Sequence, residues 1–400
     1  MGANEAKPAN EYASIFINLP SSQFAPGEFV KGTVDVLVKQ ALKVQSLDLH
    51  LGGYEQTQWW VHTDKVHIRY GGKKSIVDQN IPLVSFFGNE LAVGCHKIDF
   101  GFILPATLPG AFMWYHGDWF ARVEYKLKAK LTAVNKSDSI DFDRYLLIQE
   151  KEISAKEENR ELESARKVKS FCCVPKGMSK IKGKFEKNEL KVNEIARAFL
   201  QIDNSECKAN LTRIKIALRR KIYMTSDRGH RTKYFKTVAS EYFPGIEKRE
   251  RTPDGEPRLV ELNLNKFMTE FLAKSKQYSK KLQQRYGNYF LQPSTRTNLI
   301  RCEYYVQIKP EYDVSCMCCS GAPKIALPIT LAIPEEQQVV IEYEEENIFK
   351  QPYEGQQYQH EVGGSFSLGD KLDDEPVNEG RDCQAHEWMI EFYNQNPKSS

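Results

Sequence analysis

LPATLPGAFMWYHGDWFARVEYKLKA, residues 104–129, combines two proline breaks, a turn and an alternating segment. Pro105 and Pro109 hold the chain extended and cannot donate into a β-ladder, which suits them to the edge of a sheet. After the turn at Gly117-Asp118, apolar residues largely alternate with charged ones; the apolar set is Phe120, Val123, Tyr125, Leu127 and Leu131. This pattern predicts a strand that packs one face between two sheets and displays a charged face, with no reaction required of it.

Similar alternating segments recur along most of the chain. They are residues 28–38, 43–51, 119–133, 144–149, 195–202, 211–222 and 299–309, and Gly, Pro, Asn and Asp punctuate them. Many short strands at this spacing predict antiparallel β-sandwiches. The charged stretch 151–169 lacks the apolar residues of a core element. We therefore place a domain boundary there and predict two sandwiches of similar size in an all-β protein.

Composition and charge narrow the class of protein. The chain of 400 residues contains no apolar window as long as the ~18 residues of a membrane span, and its opening MGANEAKPANEY has no apolar leader segment. We therefore expect a soluble intracellular protein with reduced cysteines. Residues 335–400 carry 16 carboxylates and 4 basic side chains, so a basic body precedes an acidic tail. That tail either stays solvated or competes with an anionic partner for the body.

Residues 264–286, LNKFMTEFLAKSKQYSKKLQQRY, break the β pattern. Apolar residues recur there at helical spacing, and Gly287 follows as a C-cap, which predicts a helix about 35 Å long. The helix is basic through Lys274, Lys276, Lys280, Lys281 and Arg285. Its apolar stripe either packs on the sandwich or, together with these cations, binds an anionic membrane surface.

Five stretches in order along the chain carry a family resemblance. They are FAPGEFVKGTVDV (24–36), the segment 104–129, FCCVPKGMSKIKGKF (171–185), NSECKANLTRIKIALRRKI (204–222) and PKIALPITLAIPEE (323–336). Together they resemble the arrestin superfamily, and the first half most resembles its arrestin-domain-containing, or alpha-arrestin, branch.

The resemblance implies the arrestin fold, which is two tandem immunoglobulin-like antiparallel β-sandwiches. A flexible N-terminus would occupy residues 1–11, and the two sandwiches would occupy residues 12–160 and 161–336. The helical insertion would fall at about 264–287 within the second sandwich, and a disordered acidic tail would follow at 337–400.

The resemblance also implies a function. Arrestin-like proteins are non-catalytic adaptors that bind membrane cargo or receptor tails, often acidic or phosphorylated, and link them to endocytic, sorting or signalling machinery. We therefore expect a cytoplasmic protein peripherally associated with the plasma membrane or endosomes. A retromer-like coat or structural subunit of a trafficking complex is the alternative, because it shares the double-sandwich architecture. The chain contains no Pro-Pro-x-Tyr handle for HECT-type ubiquitin ligases.

The strand predicted at 211–222 supplies candidate partner-binding residues. Its apolar members point to the core, and its basic members are assigned to the outer side or the strand's end; they are Arg213, Lys215, Arg219, Arg220 and Lys221. Arg228, Arg231, Lys233 and Lys236 add charge in the following loop and strand. Such a surface attracts phosphates or carboxylates, most strongly at low salt, although many charge runs are only solvated faces.

The acidic tail contains an apolar cluster, WMIEFYNQ (388–395). One hypothesis is that Trp388, Ile390 and Phe392 dock back onto the body while neighbouring carboxylates occupy the cargo site. The alternative is a disordered tail that happens to contain a few aromatic residues.

Two cysteine groups remain, Cys172-Cys173 and the set Cys316, Cys318 and Cys319. Four thiolates could form a structural zinc site, but the spacing is not a familiar pair motif, and buried thiols or acylation sites are the alternatives. The histidines are scattered, and no phosphate-binding glycine loop or hydrolase motif occurs. We predict no enzymatic activity, no cofactor and no nucleic-acid partner.

Overall fold

The computed structural model describes residues 8–62, 66–149, 159–170, 174–267, 269, 291–314 and 322–332. In the first half, the strands are β1 (Ala13–Asn18), β2 (Gln23–Phe24), β3 (Phe29–Val38), β4 (Leu42–His62), β5 (His67–Ser85), β6 (Glu90–Leu91), β7 (Gly94–Ile103), β8 (Phe112–His116), β9 (Trp119–Ala133) and β10 (Ile140–Ile148). A 3-10 turn at Lys136–Asp138 joins β9 to β10.

The second half repeats this all-β character. Its strands are β11 (Glu161–Ser170), β12 (Val174–Phe185), β13 (Glu189–Lys191), β14 (Ile195–Asp203), β15 (Leu211–Thr225), β16 (Arg231–Ile246), β17 (Arg258–Asn263), β18 (Thr295–Arg296), β19 (Ile300–Tyr312) and β20 (Ile325–Ala332). No helix within the described residues is both long enough and apolar enough to cross a membrane.

The strands form two β-sandwiches, as the sequence predicts. The first consists of sheet β1-β3-β7 and sheet β2-β10-β9-β4-β5, with β6 paired to β4 and β8 to β9. The second consists of sheet β11-β12-β14-β17 and sheet β13-β20-β19-β15-β16, with β18 paired to β19. The sheets are not wholly antiparallel, because β2 runs parallel to β10 and β13 runs parallel to β20. A tight hairpin can join only antiparallel strands, and β2 and β13 are each far along the chain from the strand with which they pair, so they can pair in parallel.

Strand β9 shows why the quoted segment folds as it does. Val123, Tyr125, Leu127 and Leu131 are buried, as predicted, and the Tyr125 hydroxyl donates to the Pro109 carbonyl oxygen at 2.6 Å. The proline-held segment is thereby fastened to the strand that follows it.

Two residues of β9 depart from the predicted pattern. Phe120 lies on the charged face, because side chains two residues apart in a strand share one face and Arg122 is on that face. The Arg122 guanidinium lies 5.6 Å from the centroid of the Phe120 ring. Glu124 also belongs to that face but is buried, and one of its carboxylate oxygens accepts a hydrogen bond from the Tyr54 hydroxyl.

Three predicted segments lie partly or wholly outside the described residues. Residues 264–267 and 269 are helical, which marks the start of the predicted insertion, and its continuation through 287 stays a prediction. Of residues 1–11, those from 8 onward are described, and Asn10 is held there by hydrogen bonds to Asp138, Tyr12 and Ala13. The acidic tail at 337–400 lies outside the described residues.

The two sandwiches touch at what we call the inter-domain contact. The hydroxyl of Thr57 on β4 donates to the Thr225 carbonyl oxygen at 2.7 Å. Trp114 of β8 packs against Tyr234 of β16, with ring centroids 4.7 Å apart. Buried apolar residues of both sandwiches form one contiguous cluster, so the core continues through this contact.

Candidate functional site

The most highly charged surface of the second sandwich lies on the outward side of β15, β16 and β19. Along β15, inward residues are buried while Arg213, Lys215, Arg219 and Lys221 alternate with them and are at least partly exposed. Because Lys215 is opposite Lys309 of β19 and Tyr223 is opposite both Arg301 of β19 and Lys233 of β16, neighbouring strands add cations on the same side. We call this surface the basic face; its cations are Arg213, Lys215, Arg219, Lys221, Arg231, Lys233, Arg301 and Lys309.

Aromatic rings separate the cations of the basic face. The Arg219 guanidinium lies 4.0 Å from the Phe235 ring centroid, and the Arg213 guanidinium lies 4.4 Å from that of Tyr242. Similar contacts join Lys215 to Tyr242 at 5.2 Å, Lys221 to Tyr305 at 4.9 Å and Arg301 to Tyr223 at 4.1 Å. Such contacts hold flexible basic side chains over rings without neutralising their charge.

Two carboxylates lie on the basic face, and each neutralises one end of it. Arg213 donates through Nε to Glu311 at 2.5 Å, and Arg301 pairs with Glu303 at 3.2 Å. The hydrogen bond to Glu311 raises the pKa of Arg213, so this guanidinium stays charged. No ion pair among the described residues involves Lys215, Lys221 or Lys233, so the middle and the β16 side of the face keep surplus positive charge.

In the middle of the basic face, the Arg219 guanidinium contacts uncharged partners, so its positive charge is not neutralised. Arg219 donates through Nη1 to the Gln307 amide oxygen at 2.7 Å, a partner that carries no charge. Burial raises the pKa of the Tyr305 hydroxyl, and the nearby Lys221 and Arg219 oppose that rise. An anion placed here would meet several cations and few competing carboxylates.

On the first sandwich, two outward lysines of β9 are neutralised by carboxylates of the neighbouring strand β10. Lys126 pairs with Asp143 at 2.7 Å and Lys128 pairs with Asp141 at 2.5 Å, so lysines of β9 are matched by aspartates of β10. The Asp141 and Asp143 carboxylates raise the pKa of Lys128 against the lowering effect of its burial. Lys215, Lys221 and Lys233 of the second sandwich form no such ion pair among the described residues.

The prediction that Arg220 belongs to the outward set is wrong. Its side chain is 7% exposed, because β15 alternates and an even-numbered residue points inward with Ile222. Arg220 lies beside Tyr304 and Cys302 in the core, where burial raises the pKa of the Cys302 thiol to about 12 and Arg220 opposes that rise. We assign Arg220 to the packing of the second sandwich and leave it out of the basic face.

Other predicted site residues lie outside the described part of the chain. They are the helix cations Lys274, Lys276, Lys280, Lys281 and Arg285, the cysteines Cys172, Cys173, Cys316, Cys318 and Cys319, and the tail residues Trp388, Ile390 and Phe392. Within the described residues, no group of three or more His, Cys, Asp or Glu side chains is placed to hold a metal ion. The zinc and tail-docking hypotheses stay predictions.

The part of the basic face that lies on β19 could not be predicted from the sequence. Arg301 and Lys309 belong to a segment that was predicted as a strand, but their position beside β15 depends on the pairing of β15 with β19. That pairing joins residues almost ninety positions apart, as between Arg219 and Tyr305, and no local pattern encodes it. The alternation of β19 does indicate that Arg301, Glu303, Tyr305 and Lys309 share one side.

Comparison with protein families matches two models to the chain. The model described as Arrestin (or S-antigen), N-terminal domain, matches residues 13–153, which hold β1–β10. The model described as Arrestin (or S-antigen), C-terminal domain, matches residues 175–336, which include β13–β20. A search among curated proteins finds no match to this chain.

Proposed function

The chain belongs to the arrestin family, and from that premise we propose that it binds acidic or phosphorylated cytoplasmic tails of membrane proteins on the basic face. Arrestin domains support a non-catalytic adaptor or scaffold role, and arrestin-family proteins generally bind receptors and trafficking machinery. In this proposal the chain links such tails to endocytic, sorting or signalling machinery. Its place is the cytoplasmic side of the plasma membrane or of endosomes, where those tails are exposed.

The surplus charge of the basic face is the observation that carries the proposal. Lys215, Lys221 and Lys233 have no ion-pair partner among the described residues, and Arg219 is held by a neutral amide. A phosphate group carries up to two negative charges, so a phosphorylated tail gains more from this surface than its unmodified form. Because the cations are solvent-accessible, the affinity should fall as salt is added.

The test is peptide titration with the full chain. We expect Arg219→Glu combined with Lys221→Glu to weaken binding of a labelled phosphopeptide by about tenfold or more, since attraction becomes repulsion. Lys182→Glu combined with Lys184→Glu is the control, because it changes the net charge equally on exposed positions of β12 in the other sheet. Fluorescence polarisation at several salt concentrations measures both.

Equal losses in the two double variants would mean that net charge, and not the basic face, governs binding. Affinity that does not depend on phosphate, on salt or on either double variant would contradict the proposed function. Circular dichroism of each variant establishes that the comparison is made between folded proteins.

A further inference from the structure

The outer edge of β16 is a long, open strand edge. β16 is the last strand of its sheet and pairs with β15 over almost its whole length. Within the described residues, the backbone from Thr232 to Phe243 makes no hydrogen bond outside that ladder. A row of unpaired N–H and C=O groups of this kind is a template for one more strand.

The equivalent edge of the first sandwich is partly occupied. On β5, Gly71 accepts a hydrogen bond from the Asp227 backbone N–H at 3.2 Å, and the Lys73 N–H donates to the Asp227 carboxylate at 3.0 Å. The turn after β15 therefore covers this part of β5. Among the described residues, no backbone group pairs in this way with residues 231–237 at the hairpin end of β16.

The open part of β16 extends from Arg231 to Thr237. Beyond it, the register against β15 shifts at Val238, which is buried, and at the far end Arg258 donates to the Gly245 carbonyl oxygen at 2.9 Å. Residues 231–237 span about 23 Å as a strand, which suits a peptide of about seven residues.

The side chains along this stretch favour one kind of occupant. Lys233 and the 41%-exposed ring of Phe235 point to the basic face, while the exposed Lys236 points to the opposite side of the sheet. Lysines on an edge discourage pairing with a second basic or apolar strand. The same lysines attract carboxylates, so the edge discriminates by charge.

We propose that an acidic segment of a partner protein binds to residues 231–237 as an additional β-strand. This inference rests on the proposed adaptor function and adds its mode of binding. The backbone ladder supplies affinity that is independent of sequence, and the alternating side chains supply selectivity. Partner carboxylates on one side then reach the basic face beside Lys233 and Lys221.

The order Lys233, Tyr234, Phe235, Lys236 specifies the partner's pattern. Residues directly opposite one another in a ladder face the same side. An acidic residue therefore pairs with each lysine and an apolar residue pairs with Phe235. From N- to C-terminus, a partner strand that runs parallel to β16 would therefore have the sequence acidic-any-apolar-acidic. One that runs antiparallel would have the sequence acidic-apolar-any-acidic.

The test uses the full chain and two synthetic peptides, Ser-Gly-Glu-Thr-Phe-Glu-Gly-Ser and Ser-Gly-Glu-Phe-Thr-Glu-Gly-Ser. We expect at least one of them to bind and, in hydrogen-exchange mass spectrometry, to protect those backbone amides of residues 231–237 that do not already donate to β15. N-methylation of alternate peptide amides should weaken binding by about tenfold for one set of amides and much less for the other, because only one set faces β16. Lys233→Glu combined with Lys236→Glu should weaken binding, and the Lys182→Glu, Lys184→Glu control should not.

The outcomes separate strand addition from the proposed function. Binding that responds to charge reversal at Arg219 and Lys221 but not to either N-methylated set would overturn strand addition and leave the adaptor function standing. Failure of every acidic and phosphorylated peptide to bind would overturn both. Protection, without peptide, of the amides of residues 231–237 that do not donate to β15 would also overturn the proposal, since a segment of this chain or, if protection rises with protein concentration, a second copy would then hold the edge.

Discussion

Glu55 joins the two sandwiches through one carboxylate oxygen. Its side chain is fully buried on β4, and Oε2 accepts hydrogen bonds from the Thr297 hydroxyl and, at 2.8 Å, from the Leu299 backbone N–H. Oε1 has no hydrogen-bond partner among the described residues. A side chain of the first sandwich therefore completes the hydrogen bonding of a buried backbone group in the second.

Replacing Glu55 should lower stability according to how much of this bonding is lost. We expect Glu55→Ala to reduce the free energy of unfolding by about 1–3 kcal/mol, because the buried Leu299 N–H loses its acceptor. Glu55→Gln keeps an acceptor oxygen and should cost less. Urea denaturation measures both, with Glu163→Ala as control, since that carboxylate is half exposed and pairs with Lys180 at 2.9 Å. Equal losses for the alanine and glutamine variants would contradict this role.

The contrast between Arg219 and Arg220 shows how much of the candidate site a sequence can predict. The strand, its charge and the outward position of Arg219 follow from the pattern at 211–222. The density of charge along the chain favours an outward Arg220, whereas the two-residue period of the strand places it inward. A buried arginine contradicts the usual preference of this side chain, so only the alternation could have indicated it.

At the scale of elements, β9 and β5 differ in how clearly the sequence encodes them. β9 was predicted at 119–133 and occupies Trp119–Ala133, because each inward residue is apolar. β5 was not predicted: of its inward-facing residues only Gly72 and Leu83 are buried, and pairing with β4 along its length holds it in place.

β4 was predicted to end at 51 but continues to His62, since the second sandwich buries Glu55 and Thr57. When residues are buried by a segment that is distant in the sequence, the strand that carries them need not show an apolar pattern of its own.

The close approach of β5 to the turn after β15 gives a prediction for Gly72. A Cβ at this position would lie 2.9 Å from the Asp227 backbone nitrogen, which is closer than packed atoms tolerate. We expect Gly72→Ala to push the turn at 226–230 away and to reduce the free energy of unfolding by about 1–3 kcal/mol. Hydrogen exchange of the turn should also become faster.

Lys74→Ala is the matched control for Gly72→Ala, because Lys74 is exposed on the same strand. Thermal unfolding together with hydrogen-exchange mass spectrometry makes the comparison. An alanine at Gly72 that leaves both the unfolding temperature and the exchange of 226–230 unchanged would mean that the turn does not depend on this contact.

At the scale of the whole molecule, one arrangement of strands is used twice. The order β2-β10-β9-β4-β5 in the first sandwich corresponds to β13-β20-β19-β15-β16 in the second, and in each a short strand runs parallel to the last strand. The hairpins β4–β5 and β15–β16 occupy equivalent edges, and the turn of the second hairpin meets Thr57 and Lys73 of the first at the inter-domain contact. The sandwiches differ locally in how their lysines are paired: Lys126 and Lys128 of β9 pair with aspartates of β10, whereas Lys215, Lys221 and Lys233 form no ion pair among the described residues.

The inter-domain contact predicts that the two sandwiches unfold together. Trp114 is 3% exposed and packs on Tyr234 of the other sandwich, and His116 lies 4.7 Å from the same ring. We expect Tyr234→Ala to remove about 1–3 kcal/mol of coupling between the sandwiches, because the aromatic contact with Trp114 and its buried area are lost. Differential scanning calorimetry should then resolve two transitions where the unmodified chain shows one.

Tyr242→Ala is the control for that experiment. Tyr242 lies farther along β16, is 48% exposed and contacts Arg213, within its own sandwich. Its loss should lower stability slightly while a single transition persists, because the contact between sandwiches is intact. If Tyr234→Ala also unfolds in one transition, or if the unmodified chain already shows two, the coupling does not depend on the Trp114–Tyr234 contact. The hydrogen bonds from Thr57 and Glu55 to the second sandwich would then be the next contacts to remove.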